Sequence, residues 1–264
     1  MKRFSRLILT AIFCVTCLFS TAGCRNVILQ RIINNSTPAT SVDAAKMTND
    51  ITTDKIHALF TVIATNSKGW WSRSQLRSQG SAVAFYQSDG YCYLITNCHV
   101  AQKRSGYDSV SFTVVDYAGN EYSARQFRSA NRDYEAISAD YDLAVLYFRT
   151  SVTYTTLSVA ASDPAVGETV VALGAPENQS NAITFGTVKS YVTESLDAEE
   201  YLSNVSFPVI LHDAYIDNGS SGGPLINANY EIVGINYGGS EDNSISLAVP
   251  ATKVREFLTE YVYG

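Results

Sequence analysis

The segment of this chain best suited to nucleophilic chemistry is Asp217-Asn218-Gly219-Ser220-Ser221-Gly222-Gly223-Pro224-Leu225, a pair of serines enclosed by glycines between two apolar runs. Glycines there permit backbone conformations closed to other residues and let main-chain N–H groups approach a substrate carbonyl unobstructed. Taken alone, the string reads at least as readily as a Gly-rich hairpin loop with solvent-facing serines. A second segment, Tyr93-Leu94-Ile95-Thr96-Asn97-Cys98-His99-Val100, releases His99 at a strand end, where a general base would be held yet reachable. On its own, a partly buried, hydrogen-bonded histidine would look the same. The third segment, Asp140-Tyr141-Asp142-Leu143-Ala144-Val145-Leu146, places a carboxylate at the start of a buried strand. There it can accept from a ring N–H and hold the imidazole in the useful tautomer. Asp140 competes for that role, but Asp142 directly abuts the Leu-Ala-Val run. Together the three segments describe acyl transfer: Ser221 as nucleophile, His99 as base, Asp142 as its orienting carboxylate. Gly219, Ser220 and Ser221 then form an oxyanion turn in which the Gly219 and Ser221 N–H groups donate. Ser220 is a rival nucleophile by type.

The elements that must position these groups are strands. The chain has 264 residues, 46% hydrophobic and 17% charged, with 17 Tyr and many Val, Ile and Thr runs, which indicates an all-β globular fold with a sizeable core. Ser81 to Tyr86 and Tyr91 to Thr96 flank Ser88-Asp89-Gly90 and make a hairpin, with His99 just past its second strand. Val110 to Val115, Glu121 to Phe127 and Leu143 to Phe148 complete one barrel-sized half, about 51–150. A polar crossing leads to strands at Thr169 to Leu173, Ile183 to Val192, Pro208 to Leu211, Pro224 to Ile226, Ile232 to Tyr237 and Ile245 to Val249, a second half over about 164–249. Beyond Pro250, Val254, Phe257, Leu258 and Tyr261 fall at helical spacing, which predicts a packed amphipathic helix over about 251–262. The loop Asn66 to Gln79, with Trp70, Trp71, Arg73 and Arg77, is either surface or a contact site for a partner.

The first residues lie outside that core. Lys2, Arg3 and Arg6 precede an apolar stretch from Leu7 to Phe19 that is too short to span a membrane as a mature helix, so residues 1–23 read as an export signal. Ser20-Thr21-Ala22-Gly23-Cys24 resembles a bacterial lipobox, which implies a lipid-modified Cys24 at the mature N-terminus and a membrane as partner. Thr21 departs from the Leu usual there, and an ordinary secretory signal with Cys24 as a plain thiol is the alternative. Residues 24–50 are polar and turn-rich and are expected to form a tether, with the catalytic body over 51–264. Removing Lys2, Arg3 and Arg6 from the 19 basic residues leaves 16 against 25 acidic ones, a formal charge of about −9, which argues against nucleic acid as a partner. Of five cysteines, Cys14 and Cys17 fall in the signal and Cys24 is the expected anchor. Cys92 and Cys98, six residues apart on one extended segment, would sit about 20 Å apart against a bridging limit of roughly 7 Å, so no disulfide is expected. No Cys/His cluster completes a metal site around Cys98 and His99, and no cofactor is implied.

The order His, Asp, Ser is that of the chymotrypsin template, distinct from the subtilisin and α/β-hydrolase orders. Gln79-Gly80-Ser81-Ala82, Ile95-Thr96-Asn97-Cys98-His99-Val100, Tyr141-Asp142-Leu143-Ala144, Gly167 to Pro176 and Gly219 to Leu225 resemble successive landmarks of bacterial HtrA/DegP-type and related trypsin-like proteases. Val233-Gly234-Ile235-Asn236 and Leu247-Ala248-Val249-Pro250 extend the resemblance, which covers about Gln79 to Leu258. It implies a double barrel of two six-stranded antiparallel sheets with a C-terminal helix, and serine endopeptidase activity on protein or peptide substrates. It assigns the nucleophile to Ser221, the serine before Gly222-Gly223-Pro224, and the centre of the oxyanion turn to Ser220, where relatives carry Asn or Asp. It walls the primary specificity pocket with Tyr215, Ile216, Tyr237, Gly238, Gly239 and the strand near Ile245. No aspartate stands at the pocket's expected base, which argues against Arg/Lys preference and toward apolar or small side chains. No PDZ-like segment follows Leu258, so a minimal single-domain member is expected, with its oligomeric state left open. A protease-fold binding or scaffold lipoprotein that does not cleave is the alternative function.

Overall fold

Two-residue periodicity in burial organises the chain from Leu59 onward. In β1 (Leu59–Ser67), Val62, Ala64 and Asn66 turn inward while Ile63, Thr65 and Ser67 remain half-exposed, the pattern of a strand with one face on a core. β2 (Gln75–Ser88) and β3 (Tyr91–Thr96) are joined by Asp89-Gly90, with φ of 53° and 78°, the pair of left-handed residues that a type I′ hairpin turn requires. β4 (Ser109–Val115), β5 (Glu121–Gln126) and β6 (Ala144–Arg149) close a six-stranded antiparallel barrel in the order β1-β2-β3-β6-β5-β4. A second barrel follows from β7 (Thr169–Gly174), β8 (Ala182–Val192), β9 (Val209–His212), β10 (Pro224–Ile226), β11 (Ile232–Gly239) and β12 (Ser246–Pro250). Its order, β10-β11-β12-β9-β8-β7, is the same sequence of neighbours read from the other end. The all-β double barrel expected from the residues is the observed architecture. β1 lies where the sequence delimits no strand, and β2 begins six residues before the expected Ser81, so that both ends of the expected loop Asn66 to Gln79 are strand. The other strand limits fall within two residues of those expected.

These features come from a computed structural model, which describes residues 43–69, 74–128, 134–175, 182–193, 203–239 and 245–261. The leader, Cys24 and the Trp70-Trp71 pair with Arg73 lie outside the described residues. Among the described residues no helix is long and apolar enough to cross a membrane, and no group of three or more His, Cys, Asp or Glu could hold a metal ion.

The polar tether expected to run to residue 50 is corrected at its end. Ala44–Thr53 form a helix, α1, whose N-terminus is capped by the Asp43 side chain accepting from the Lys46 N–H. Met47 and Ile51, one turn apart, are buried beneath it. Tyr230 Oη donates to Asp50 at 2.5 Å and Thr155 Oγ1 to Asp54 at 2.7 Å, so α1 is fastened to the β10–β11 turn and to the segment crossing between the barrels. A second helix absent from the sequence reading, α2 (Tyr134–Tyr141), precedes β6.

The C-terminal helix, α3 (Ala251–Tyr261), buries Val254, Phe257, Leu258 and Tyr261 as its spacing predicts. Each such large side chain contributes about 1.5–3 kcal/mol on leaving water. Phe257 and Tyr261 stack at 5.1 Å, and Tyr261 Oη donates to the Phe127 carbonyl at 2.8 Å, just beyond β5. Tyr141 Oη donates to Glu256 at 2.6 Å, so α3 also braces the end of α2. One apolar cluster runs through barrel one, the interface and α3, whereas Val170, Val188, Ile210, Leu225 and Ala248 fill the interior of barrel two.

Candidate active site

Asp142 stands where α2 ends. Its N–H donates to Ala139 C=O and the next N–H, of Leu143, to Ser138 C=O, the paired bonds of a Schellman cap. The residue after such a helix end takes the left-handed conformation, usually as glycine; here Asp142 takes it, with φ 48°. The Ser138 hydroxyl donates to Leu143 C=O and Asn97 Nδ2 to Asp142 C=O at 2.9 Å, holding the strained residue from both sides. Its carboxylate is fully buried and grips one partner twice: Oδ1 accepts from the His99 N–H at 3.0 Å, and Oδ2 lies 2.8 Å from His99 Nδ1. A carboxylate only accepts, so Nδ1 carries the proton of the neutral ring and Nε2 keeps its lone pair. His99 itself is 7% exposed, fixed by its own backbone as well as its ring. Asp140, the competing carboxylate, lies on the exposed side of α2.

The turn carrying Ser221 is built on the far barrel and docked on the near one. Asp217 C=O accepts from Ser220 N–H at 2.9 Å, and Gly219 at the third position has φ 93°, the left-handed value that a type II turn demands. Gly222 N–H donates to Asn236 C=O and Asn236 N–H to Gly223 C=O, pairing the turn with β11. From barrel one, Ser81 N–H donates to Ser221 C=O at 2.7 Å and Ser81 Oγ to Gly219 C=O at 2.7 Å, while Ala175 N–H donates to Ser81 Oγ. A Cβ on Gly222 would fall 2.1 Å from Ser81 C=O, so only glycine allows this approach. Gly80 is the spacer at which the His99 segment and the Ser221 turn meet: a Cβ there would lie 2.6 Å from Val100, the neighbour of His99, and 3.1 Å from Ser221 C=O.

The two candidate serines differ in surroundings. Ser220 is 2% exposed, with its hydroxyl accepting from Asp217 N–H and packed on Gly174, whose missing side chain makes room for it. Ser221 is half-buried. Of the five successive amides from Gly219 to Gly223, those of Ser220, Gly222 and Gly223 are engaged. Those of Gly219 and Ser221 have no acceptor among the described residues. Two donors on alternate residues of one tight turn, spared from internal bonding, are what an anionic tetrahedral oxygen would need.

The residues expected to wall a specificity pocket are spread more widely. Tyr215 is exposed and its carbonyl accepts from Thr184 Oγ1, Ile216 is half-buried, and Gly238 and Gly239 pair with Leu247 and Ser246 on β12. Ile245 is buried, and Tyr237 is 1% exposed with its ring in the main apolar cluster. The Tyr237 ring is therefore core rather than pocket wall. Sequence reasoning missed the roles of Ser81 and Asn97, although both lie in segments that carried the resemblance. It also missed His212. This histidine is fully buried in barrel two, and burial pushes its pKa down to about 4 despite the opposing pull of Asn236, Asp213 and the Ala214 backbone. Cys92 and Cys98 are not bridged, and burial pushes the Cys92 thiol up to about 12, far from a reactive thiolate.

Comparison with known proteins places this arrangement. The trypsin-like peptidase domain matches residues 80–235. The serine protease Do-like HtrA of Bacillus subtilis is 36% identical over 187 residues, 69% of this chain and 38% of that protein. The mitochondrial serine protease HTRA2 of Bos taurus is 39% identical over 124 residues, 47% of this chain and 26% of that one. The chain thus spans well under half the length of these relatives. Among solved structures, the active form of the Rv3671c protease from M. tuberculosis superimposes with a TM-score of 0.63 at 22% identity, covering 84% of this chain and 88% of that one, a likeness of fold.

Proposed function

This chain belongs to the trypsin-like peptidase domain family, and from that premise we propose that it is an exported serine endopeptidase acting through His99, Asp142 and Ser221. His99 Nε2 takes the proton of Ser221 Oγ as that oxygen bonds to the scissile carbonyl carbon, and Asp142 stabilises the imidazolium. The carbonyl oxygen becomes anionic and is received by the Gly219 and Ser221 N–H groups, each donor being worth about 3 kcal/mol. The C–N bond then breaks, the leaving amine takes the proton from His99, and the acyl group stays on Ser221 as an ester. Water, deprotonated by His99, attacks that ester, and Ser221 recovers its proton. The observation that carries this reading is the pair of unengaged amides at Gly219 and Ser221 in a turn docked beside a doubly anchored His99.

Export and anchoring rest on the basic head, the short apolar stretch and Cys24, which support a lipoprotein held at the outer face of a membrane. Substrates are then misfolded or specific extracytoplasmic proteins. A fluorophosphonate probe tests the hydrolytic reading: labelling of the unsubstituted protein that vanishes in Ser221→Ala supports it. No labelling of the folded protein favours a scaffold that keeps the fold and does not cleave.

A further inference from the structure

Asp142 keeps an outlying backbone conformation, φ 48°, and such conformations persist only where the surroundings over-determine them. Its bonds to Ala139 and Asn97, and those between Ser138 and Leu143, all arise within the barrel-one half of the chain. Two further bonds reach the last turn of α2 from beyond that half. Asn204 N–H donates to Ala139 C=O at 2.9 Å, the same carbonyl that accepts from Asp142 N–H. Tyr141, the residue before Asp142, donates its hydroxyl to Glu256 Oε1 on α3 at 2.6 Å.

The surroundings of Tyr141 hold that bond in one direction. Its ring lies 5.8 Å from that of Phe257 on α3 and 5.9 Å from that of Phe207, just before β9. Lys253 Nζ pairs with Glu256 Oε2 at 2.6 Å and stands over the Tyr141 and Phe207 rings at 6.0 Å and 5.3 Å. That ammonium, and then the Tyr141 hydroxyl, hold the Glu256 carboxyl below its usual range, so it accepts at neutral pH. Burial, and then Glu256, push the Tyr141 hydroxyl above its own range, so it stays a donor. α3 is itself fastened at both ends. In its first turn Asp163 accepts from Thr252 N–H at 2.8 Å and from Thr252 Oγ1 at 2.7 Å, and in its last Tyr261 Oη donates to the Phe127 carbonyl.

On the reading of Asp142 as the carboxylate that orients His99, we propose that Tyr141 is a positioning residue: its hydroxyl, clasped by Glu256 of α3, sets the backbone from which the Asp142 carboxylate reaches His99. Phenylalanine would fill the same space between Phe207 and Phe257, so the hydroxyl contributes direction rather than packing. Direction matters here because the carboxylate meets His99 at two points, its N–H at 3.0 Å and Nδ1 at 2.8 Å, and a two-point grip tolerates little rotation of the chain that carries it. The clasp also joins the two halves of the site. His99 and Asp142 belong to barrel one, Ser221 to barrel two, and Tyr141 ties the carboxylate's backbone to a helix that follows barrel two. Through that one hydrogen bond a shift of α3 would be felt at His99.

The test uses the full chain and two variants: Tyr141→Phe, which keeps the ring and loses the hydroxyl, and Glu256→Ala, which removes the acceptor at a partly exposed position. Each should slow fluorophosphonate labelling at least about fivefold, within the ~10²-fold that a 1 Å misplacement at a reacting group costs. The double variant should be no slower than the slower single one, because both remove the same bond. Glu256→Gln, which keeps an acceptor, should recover most of the rate lost in Glu256→Ala. A merely structural role would lower the melting temperature and leave the base untouched, so the second readout is the His99 Nδ1 proton resonance, which lies far downfield while that proton is held by a carboxylate. It should broaden or move upfield in Tyr141→Phe and Glu256→Ala. An unaltered resonance, or labelling at the unsubstituted rate, in a folded Tyr141→Phe overturns the inference; if that variant does not fold, Glu256→Ala decides in the same way. If the unsubstituted protein is not labelled, the hydrolytic reading fails by itself and the resonance alone decides on the clasp.

Discussion

The Ser81 hydroxyl donates to the Gly219 carbonyl at 2.7 Å, so a side chain of barrel one fixes a peptide of the Ser221 turn in barrel two. The same oxygen accepts from Ala175 N–H, and the whole contact is buried. Ser81→Ala leaves a donor and an acceptor unsatisfied, each costing about 1–3 kcal/mol. The expected outcome is a lower melting temperature and a fall in kcat larger than any rise in KM. Full activity with unchanged stability would show that the strut is dispensable.

Ser221→Ala is expected to lower kcat by about six orders of magnitude, as loss of a triad member does. Ser221 makes no side-chain bond to the described residues, so its melting temperature should stay within a few degrees. Ser220→Ala is the contrast: activity should persist, with a stability loss on the order of 1 kcal/mol from the missing contact to Asp217 N–H. Reversed results would move the nucleophile by one residue.

Asp142→Asn keeps the shape of the carboxylate but offers an N–H where His99 needs an acceptor. The amide then favours the wrong tautomer, and kcat should drop by about 10⁴. Fluorophosphonate labelling should slow in proportion; labelling at the original rate would remove Asp142 from the mechanism.

Stability should fall with acid through His212. An unfolded histidine titrates near pH 6.5 and the folded one only at about 4, so between these values the unfolded chain takes up a proton that the folded chain refuses. The contribution is therefore complete above pH 6.5, declines as the pH drops toward 4, and amounts to about 3 kcal/mol in all. Urea midpoints measured from pH 7 to pH 4 should decline less steeply for His212→Gln. Superimposable profiles would assign the acid sensitivity to other groups.

Gly80→Ala would drive a methyl to 2.6 Å from Val100 Cγ1. Overpacking of this kind costs about 1–3 kcal/mol. Because the strain falls between His99 and Ser221, activity should drop by more than the folded fraction does, as active-site titration set against circular dichroism would show.

Most strands and the pairing of His99 with Asp142 were legible because their signals are local. Asp89-Gly90 announces its hairpin, and His99 and Asp142 each abut an apolar run. α1 escaped because its buried face is only Met47 and Ile51 within a polar stretch, and the Asp43 cap weighs little without a longer period. α2 escaped because its stop signal, a glycine just past the end, is replaced by Asp142. That is a local rule broken where the site needs a carboxylate. Ser81 owes its role to Gly219, 138 positions away, and no window of sequence brings the two together.

The docking of Gly222 and Gly223 on Asn236 sets a timetable for synthesis. Ser81, His99 and Asp142 leave the ribosome early, but the turn bearing Ser221 has no β11 to close against until residue 236 has followed it. A growing chain therefore carries His99, Asp142 and Ser221 before the turn that holds the serine can close, and assembly of the site waits on nearly the last strand.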